Sequence, residues 1–484
     1  MSKFGYMKRQ LPDQPNLEHL KAQAKDLLRE IRAHNPSARL HDAQFQLANE
    51  YGFASWPKLV ERLEELRVSR ASFDKVVQIV EHGIRGGEHA RDARRAMGLH
   101  PRLANASAAC AAVALDMPAL KSQLTGHVQD PIGDLKLPAI VYACASPFGT
   151  DRPAEYVATI RYLLEQGADP DTRYVNPSYP EYNLSVLYAA SGIIRSAAAT
   201  KLLLDAGATP DDGESLYHAT ETSDHSCLRL LLEAGAKFEN TNAVIHMLDR
   251  EDMTGLNLLL EYGPDIHNPN ALIHAMKRGR SQEIINRLLS AGADPDSTSH
   301  WLRARSLAFE RGYELPGEYV PTEAERLLAA CWRGDVDEAN RLRAHHRELT
   351  TFQRKSLAGA IWAGRSELIE THFAGGFSHE DRDDSAGTPL HAACFAGIPA
   401  SVEILLRHAP PLDDVKDSYN AIPLQWAMHA SEHAPSDSPE ADYVRIVEMM
   451  IEAGSPRPVR LFGSDPVRDL LLDKWPDLTP YMGD

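Results

Sequence analysis

Leu231-Leu232-Glu233-Ala234-Gly235 pairs two leucines with a short spacer and a glycine. The same signature returns at Leu163-Leu164-Glu165-Gln166-Gly167, Leu203-Leu204-Asp205-Ala206-Gly207, Leu259-Leu260-Glu261-Tyr262-Gly263 and Leu288-Leu289-Ser290-Ala291-Gly292, with a last copy at Met450-Ile451-Glu452-Ala453-Gly454. The apolar pair belongs on the buried face of a helix. Glycine then ends that helix, because the left-handed conformation costs it no side-chain clash. Successive glycines from Gly167 to Gly292 lie 40, 28, 28 and 29 residues apart. Each interval has room for two short helices, the first typified by Ala271-Leu272-Ile273-His274-Ala275 and the second by Ser226-Cys227-Leu228-Arg229-Leu230-Leu231. A unit of that size cannot bury its apolar face alone, so neighbours must stack.

One copy is more explicit. Gly387-Thr388-Pro389-Leu390-His391-Ala392-Ala393, followed by Gly397 and then Val402-Glu403-Ile404-Leu405-Leu406, closely resembles the ankyrin repeat and its Thr-Pro-Leu-His-x-Ala signature. The resemblance covers roughly residues 95–456, with the other copies divergent. It implies an all-α, ankyrin-type solenoid of about nine or ten stacked helical hairpins, with recognition on its concave face. From Gly376 to His391 is 15 residues, the length of a complete finger loop. Gly207 to His218, Gly235 to His246 and Gly263 to His274 are 11 each, which predicts blunt turns there. The Gly167 to Tyr188 loop is 21 residues long and carries Tyr174, Tyr179 and Tyr182, which are taken as candidate partner contacts on a projecting insertion.

The ends differ from the middle. Residues 1–70 predict a three-helix segment: one helix after Asn16, a second over about 38–50 that stops at Gly52, and a third from Ser55-Trp56-Pro57. The stretch Tyr51-Gly52-Phe53-Ala54-Ser55-Trp56-Pro57-Lys58-Leu59 resembles the N-terminal part of bacterial ankyrin-repeat proteins. This segment has a net charge of +3 against −20 for the remainder, and it reads either as a polar cap or as a small docking domain. The array is expected over 71–309, broken by a Pro/Gly stretch at 310–322, resumed over 323–456 and closed by a capping helix in 457–484. Residues 430–442 form a polar insertion within one hairpin.

The 484 residues carry a net charge of −17, which disfavours nucleic acid and anionic membranes as partners. No run of 18 apolar residues predicts a membrane span, and the N-terminus lacks the apolar core of a signal peptide. Five widely spaced cysteines, with no Cys-x-x-Cys, fit free thiols and a cytoplasmic location.

No constellation for catalysis is present, and no phosphate loop, metalloprotease or calcium-loop motif. No cofactor and no metal are expected. His218, His246 and His274 recur at the signature position, 28 residues apart. Packed helices sit about 10 Å apart, whereas zinc needs ligands at about 2.0–2.1 Å. At the signature position, the resemblance implies that these histidines hydrogen-bond backbone across neighbouring turns.

The positional signal lies four residues beyond the signature histidine. There stand Thr222, Arg250 and Arg278, then Trp332, Trp362, Phe395 and His429. Aromatic rings in four successive units at one register suggest a stripe for a protein or peptide partner, since Trp and Arg are enriched in binding hot spots. Partial burial under the next loop, or a small-molecule pocket in the groove, are the alternatives. Arg250 and Arg278, with Lys277 and Arg280, form a basic island in an acidic chain. The reading is a protein-binding adaptor or regulator; a small-molecule binder or enzyme with a pocket in the groove is the competing class.

Overall fold

The repeat glycines take the conformation their position demands. In the computed structural model Gly167, Gly207, Gly235, Gly263, Gly292 and Gly454 have φ between 68° and 102°. In four of these turns the amide one residue beyond the glycine reaches back to the first leucine of the pair: Ala168 to Leu163, Ala208 to Leu203, Ala236 to Leu231 and Ala293 to Leu288, each at 3.0 Å. That is the bond which satisfies an otherwise orphaned carbonyl at a helix end. The structure describes residues 9, 11–12, 16–35, 38–69, 71–178, 180–239, 241–299, 302–383, 385–413, 416–433, 441–475 and 478. The fold is all-α, built from successive helical hairpins, and it divides into two units, Met1–Asp265 and Ile266–Asp484.

The first unit opens with helices Leu17–Arg32, Leu40–Glu50 and Trp56–Ser69, packed around Leu20, Ala24, Leu47 and Leu59. Helices Phe73–Glu81 and Gly87–Leu99 lead into the hairpins. The first hairpin pairs Ala108–Ala114 with Met117–Gln123; five alanines, a valine and a cysteine let its helices approach closely. Later pairs include Ala139–Cys144 with Pro153–Glu165 and Ala243–Met247 with Met253–Glu261. Between Gly207 and His274 no described residue is in a strand, so the short fingers are blunt turns.

The long 167–188 loop instead forms an antiparallel pair, Arg173–Val175 with Asn183–Ser185, in which Tyr174 faces Leu184. Strand alternation sends Tyr174 inward and Val175 outward. Tyr174 is 3% exposed, and burial raises its phenol pKa above the ordinary range. This corrects its expected role: it is a core residue of its repeat. Tyr182 is exposed, and Tyr179 lies outside the described residues.

Two of the three histidines expected to bond backbone, His218 and His246, bond side chains, while His391 in the complete finger does bond backbone. His391 accepts the Thr388 amide on Nδ1 and donates from Nε2 to the Ala421 carbonyl, 3.0 Å away in the next finger. His246 instead bonds the Thr220 hydroxyl at 2.9 Å and stacks on Tyr217, and His218 turns to Glu221 at 2.8 Å. Their fingers are too short to bring a neighbouring carbonyl within reach.

The second unit pairs Ala271–Lys277 with Gln282–Ser290, then Glu323–Arg333 with Val336–Leu342. Ser356–Trp362 follows with Ile369–Ala374, Pro389–Ala396 with Pro399–Arg407, and Pro423–His433 with Tyr443–Glu452. Helix Asp465–Lys474 closes it, with Val467 and Leu471 buried in the shared core. The Pro/Gly stretch at 310–322 lies inside this unit. Helix Ala304–Arg311 precedes it, and it is tied down by Tyr313 Oη to the Arg280 carbonyl at 2.8 Å and Arg305 Nη1 to the Pro316 carbonyl at 2.8 Å. The division falls instead after Asp265. In the polar insertion, residues 434–440 lie outside the described set.

Candidate functional site

Thr322 caps helix Glu323–Arg333. Its hydroxyl accepts the Glu325 amide, while the Glu325 carboxylate accepts the Thr322 amide at 2.8 Å. The cap fixes the helix that carries Trp332 in its last turn. Trp332 is 7% exposed, and its indole Nε1 donates to Ser356 Oγ at 2.8 Å. His372 lies beyond, with Nδ1 2.8 Å from the Leu368 carbonyl and Nε2 3.1 Å from Ser356 Oγ. A carbonyl only accepts, so Nδ1 carries the proton and Nε2 receives the serine hydroxyl. Burial lowers the His372 pKa to about 4, which keeps the ring neutral.

On the open side of Trp332, the Arg311 guanidinium carbon sits 3.1 Å from the ring centroid. Arg311 Nε also meets Glu310 Oε1 at 3.1 Å. Burial raises the Glu310 pKa while the adjacent guanidinium opposes that rise.

The remaining rings form a line. Trp362 meets Phe395 edge-on with centroids 5.5 Å apart, and Phe395 meets Trp426 at 5.7 Å and His429 at 6.3 Å. Edge-to-face geometry of this kind adds to area burial. Trp362 is 47% exposed. Trp426 Nε1 donates to Asp417 Oδ2 at 2.7 Å, and Asp417 Oδ1 accepts the Tyr419 and Ala421 amides at 2.9 and 2.8 Å. The Phe395 carbonyl receives Tyr443 Oη at 3.0 Å. Gly397 allows this approach, since a Cβ there would lie 2.9 Å from Tyr443.

These rings line an open groove of about 1060 Å³, which also takes in Phe352, Tyr419, Lys277, Arg303 and Lys355. Its acids are engaged within the protein. Glu310 pairs with Arg311, Glu325 takes Tyr319 Oη at 2.5 Å and the Thr322 amide, and Asp383 Oδ1 takes the Ser385 and Gly387 amides at 2.9 Å. The Tyr319 phenol is pushed up to about 12 by burial and by this carboxylate.

Of the residues named from the sequence, Trp332, Trp362 and Phe395 line this groove and His429 adjoins Phe395. Trp332 forms its inner wall. Arg278 is exposed next to the groove residue Lys277 and does not line the groove. Arg250 belongs to the first unit and is half-buried, so the basic island is split between the two units. Sequence reading missed Trp426, Arg303 and Arg311. Trp426 sits one helical turn before His429, a spacing that shares a face; the register rule selected His429. All five cysteines are buried free thiols, and burial holds those of Cys110 and Cys331 up at about 12. Among the described residues no group of three or more His, Cys, Asp or Glu is placed to hold a metal ion.

No family model matches the chain. Protein phosphatase 1 regulatory subunit 27 of Homo sapiens is 24% identical over 151 residues, 30% of this chain and 86% of that protein. Among solved structures, the crystal structure of human ASB11 ankyrin repeat domain matches 62% of this chain and 95% of its own at 17% identity, with a TM-score of 0.20. No described helix is long and apolar enough to cross a membrane.

Proposed function

We propose that this chain is an ankyrin-repeat adaptor or regulator that binds a segment of a partner protein in the groove of its second unit. The observation that carries the proposal is the unbroken contact of Trp362, Phe395 and Trp426 along an open groove, with Trp362 half in solvent. Aromatic side chains offer large contact area at low entropic cost, and such residues dominate binding hot spots. The groove faces solvent and its acids are internally engaged, which favours a surface that accepts a chain over a pocket that works on a small molecule. A protein named as a regulatory subunit is among the similar sequences, in keeping with this reading. The YGFASWPKL stretch supports the bacterial type, and the five free thiols support the cytoplasm, as parts of the same proposal.

The test is a random-peptide display selection on the full chain, followed by titration of the selected peptides against Trp362→Ala, Phe395→Ala and the double variant. Loss of about 2–4 kcal/mol of binding in the double variant is expected, with the helical circular dichroism unchanged. Equal binding by the well-folded double variant, or no selected peptides at all, rejects the proposal.

A further inference from the structure

The groove is uneven in charge. Its elements follow one another in space as they do in sequence. Helix Ala271–Lys277 packs on helix Ala304–Arg311, and that helix packs on Glu323–Arg333. Trp332 then reaches Ser356, Trp362 reaches Phe395, and Phe395 reaches Trp426. Lys277 and Arg303 therefore stand at the end opposite Trp426. Both are exposed, and neither makes an ion pair with a described residue. Arg311 is different: it is pinned on Trp332 and matched by Glu310. In a chain of net charge −17, two cations without an ion pair, on a groove whose acids are internally committed, leave a local positive end on an aromatic surface.

We propose that the groove's occupant is an acidic linear segment of a partner protein. Its carboxylates would sit at Lys277 and Arg303, and an apolar or aromatic side chain would lie against Trp362, Phe395 and Trp426. This rests on the reading of the groove as a peptide-binding site and specifies its ligand. Arginine suits a carboxylate because its planar fork binds two oxygens at once, while lysine supplies a point charge. A nucleic-acid strand also combines negative charge with flat rings, but the net charge of −17 disfavours a long polyanion as occupant.

The experiment uses the full chain and fluorescently labelled peptides of about twelve residues. One set joins four glutamates to a Trp-Pro-Leu run through spacers of different length. A matched set has glutamine for glutamate, and a deoxythymidine oligonucleotide is the third probe. The best glutamate peptide is expected to bind at least about tenfold tighter than its glutamine partner at low salt, as charge-assisted contacts require. Lys277→Ala with Arg303→Ala should erase that preference, bringing the two peptides to equal affinity. Both side chains are exposed, so the fold is expected to tolerate their loss. Equal binding of the two sets, with both weakened by Trp362→Ala, overturns the acidic assignment while the groove reading survives. If no peptide binds, or if Trp362→Ala weakens none, the groove reading itself fails and takes the assignment with it. Tighter binding of the oligonucleotide than of any glutamate peptide also overturns the assignment.

Discussion

Trp332 shows how a single side chain can be both wall and core. Its indole N–H ends on Ser356, whose hydroxyl ends on a histidine that burial keeps neutral. The unfolded chain's His372 titrates near 6.5, the folded chain's near 4. Below pH 6.5 the unfolded state takes up a proton that the folded state refuses, so stability present at neutral pH is lost as pH falls towards 4. For this one ring the loss is about 3 kcal/mol. Burial lowers His346, His379 and His391 as well, and each acts with the same sign. His372→Gln keeps a donor for Leu368 and an acceptor for Ser356 but cannot titrate. Urea unfolding of that variant between pH 7 and 4 should therefore show a shallower decline than the parent. An equal slope would show that His372 is not the group responsible. None of this was visible in the sequence, because Ser356 and His372 are joined only through the fold. The placement of Trp362 and Phe395 was visible, because the repeat fixes their register.

At the scale of the helix, the capping box of Thr322 and Glu325 holds Glu323–Arg333 where the chain re-enters regular structure after a Pro/Gly stretch. Thr322→Ala should cost about 1 kcal/mol of stability, read as a lower urea midpoint with unchanged slope. No change in midpoint would mean that the tethers of the preceding stretch already fix this helix start. The helices and their glycine stops were legible because local chemistry sets them: an apolar pair on one face, then a residue free to turn left-handed. The division of the chain was not. Pro/Gly content at 310–322 suggested a break, yet Tyr313 and Arg305 tie that stretch to its neighbours, while Gly263-Pro264-Asp265 departs from the Gly-Ala turns only by a proline. Composition registers turns, whereas a boundary depends on which side chains reach across it. Tyr174 failed for a related reason: an aromatic-rich insertion looked like a surface, and a two-residue alternation turned its ring inward.

For the molecule as a whole, a division into two compact units implies separate responses to damage. In a repeat protein stability is close to a sum of local terms, so a lesion is felt first by its own neighbours. Trp332→Ala, expected to cost about 3–5 kcal/mol, should speed amide exchange across helices between Ile266 and Asp484. Helices Pro153–Glu165 and Ala197–Asp205 should keep their protection. Uniform loss of protection along the chain would instead show one cooperative body. The indoles of Trp332 and Trp426 carry a last consequence. Each spends its only donor on the protein's own Ser356 or Asp417. Neither ring therefore demands a matching acceptor from a visitor, and few sequences are turned away for lacking one. In the groove as proposed, choice among visitors would then rest on shape and charge, not on the reach of an indole.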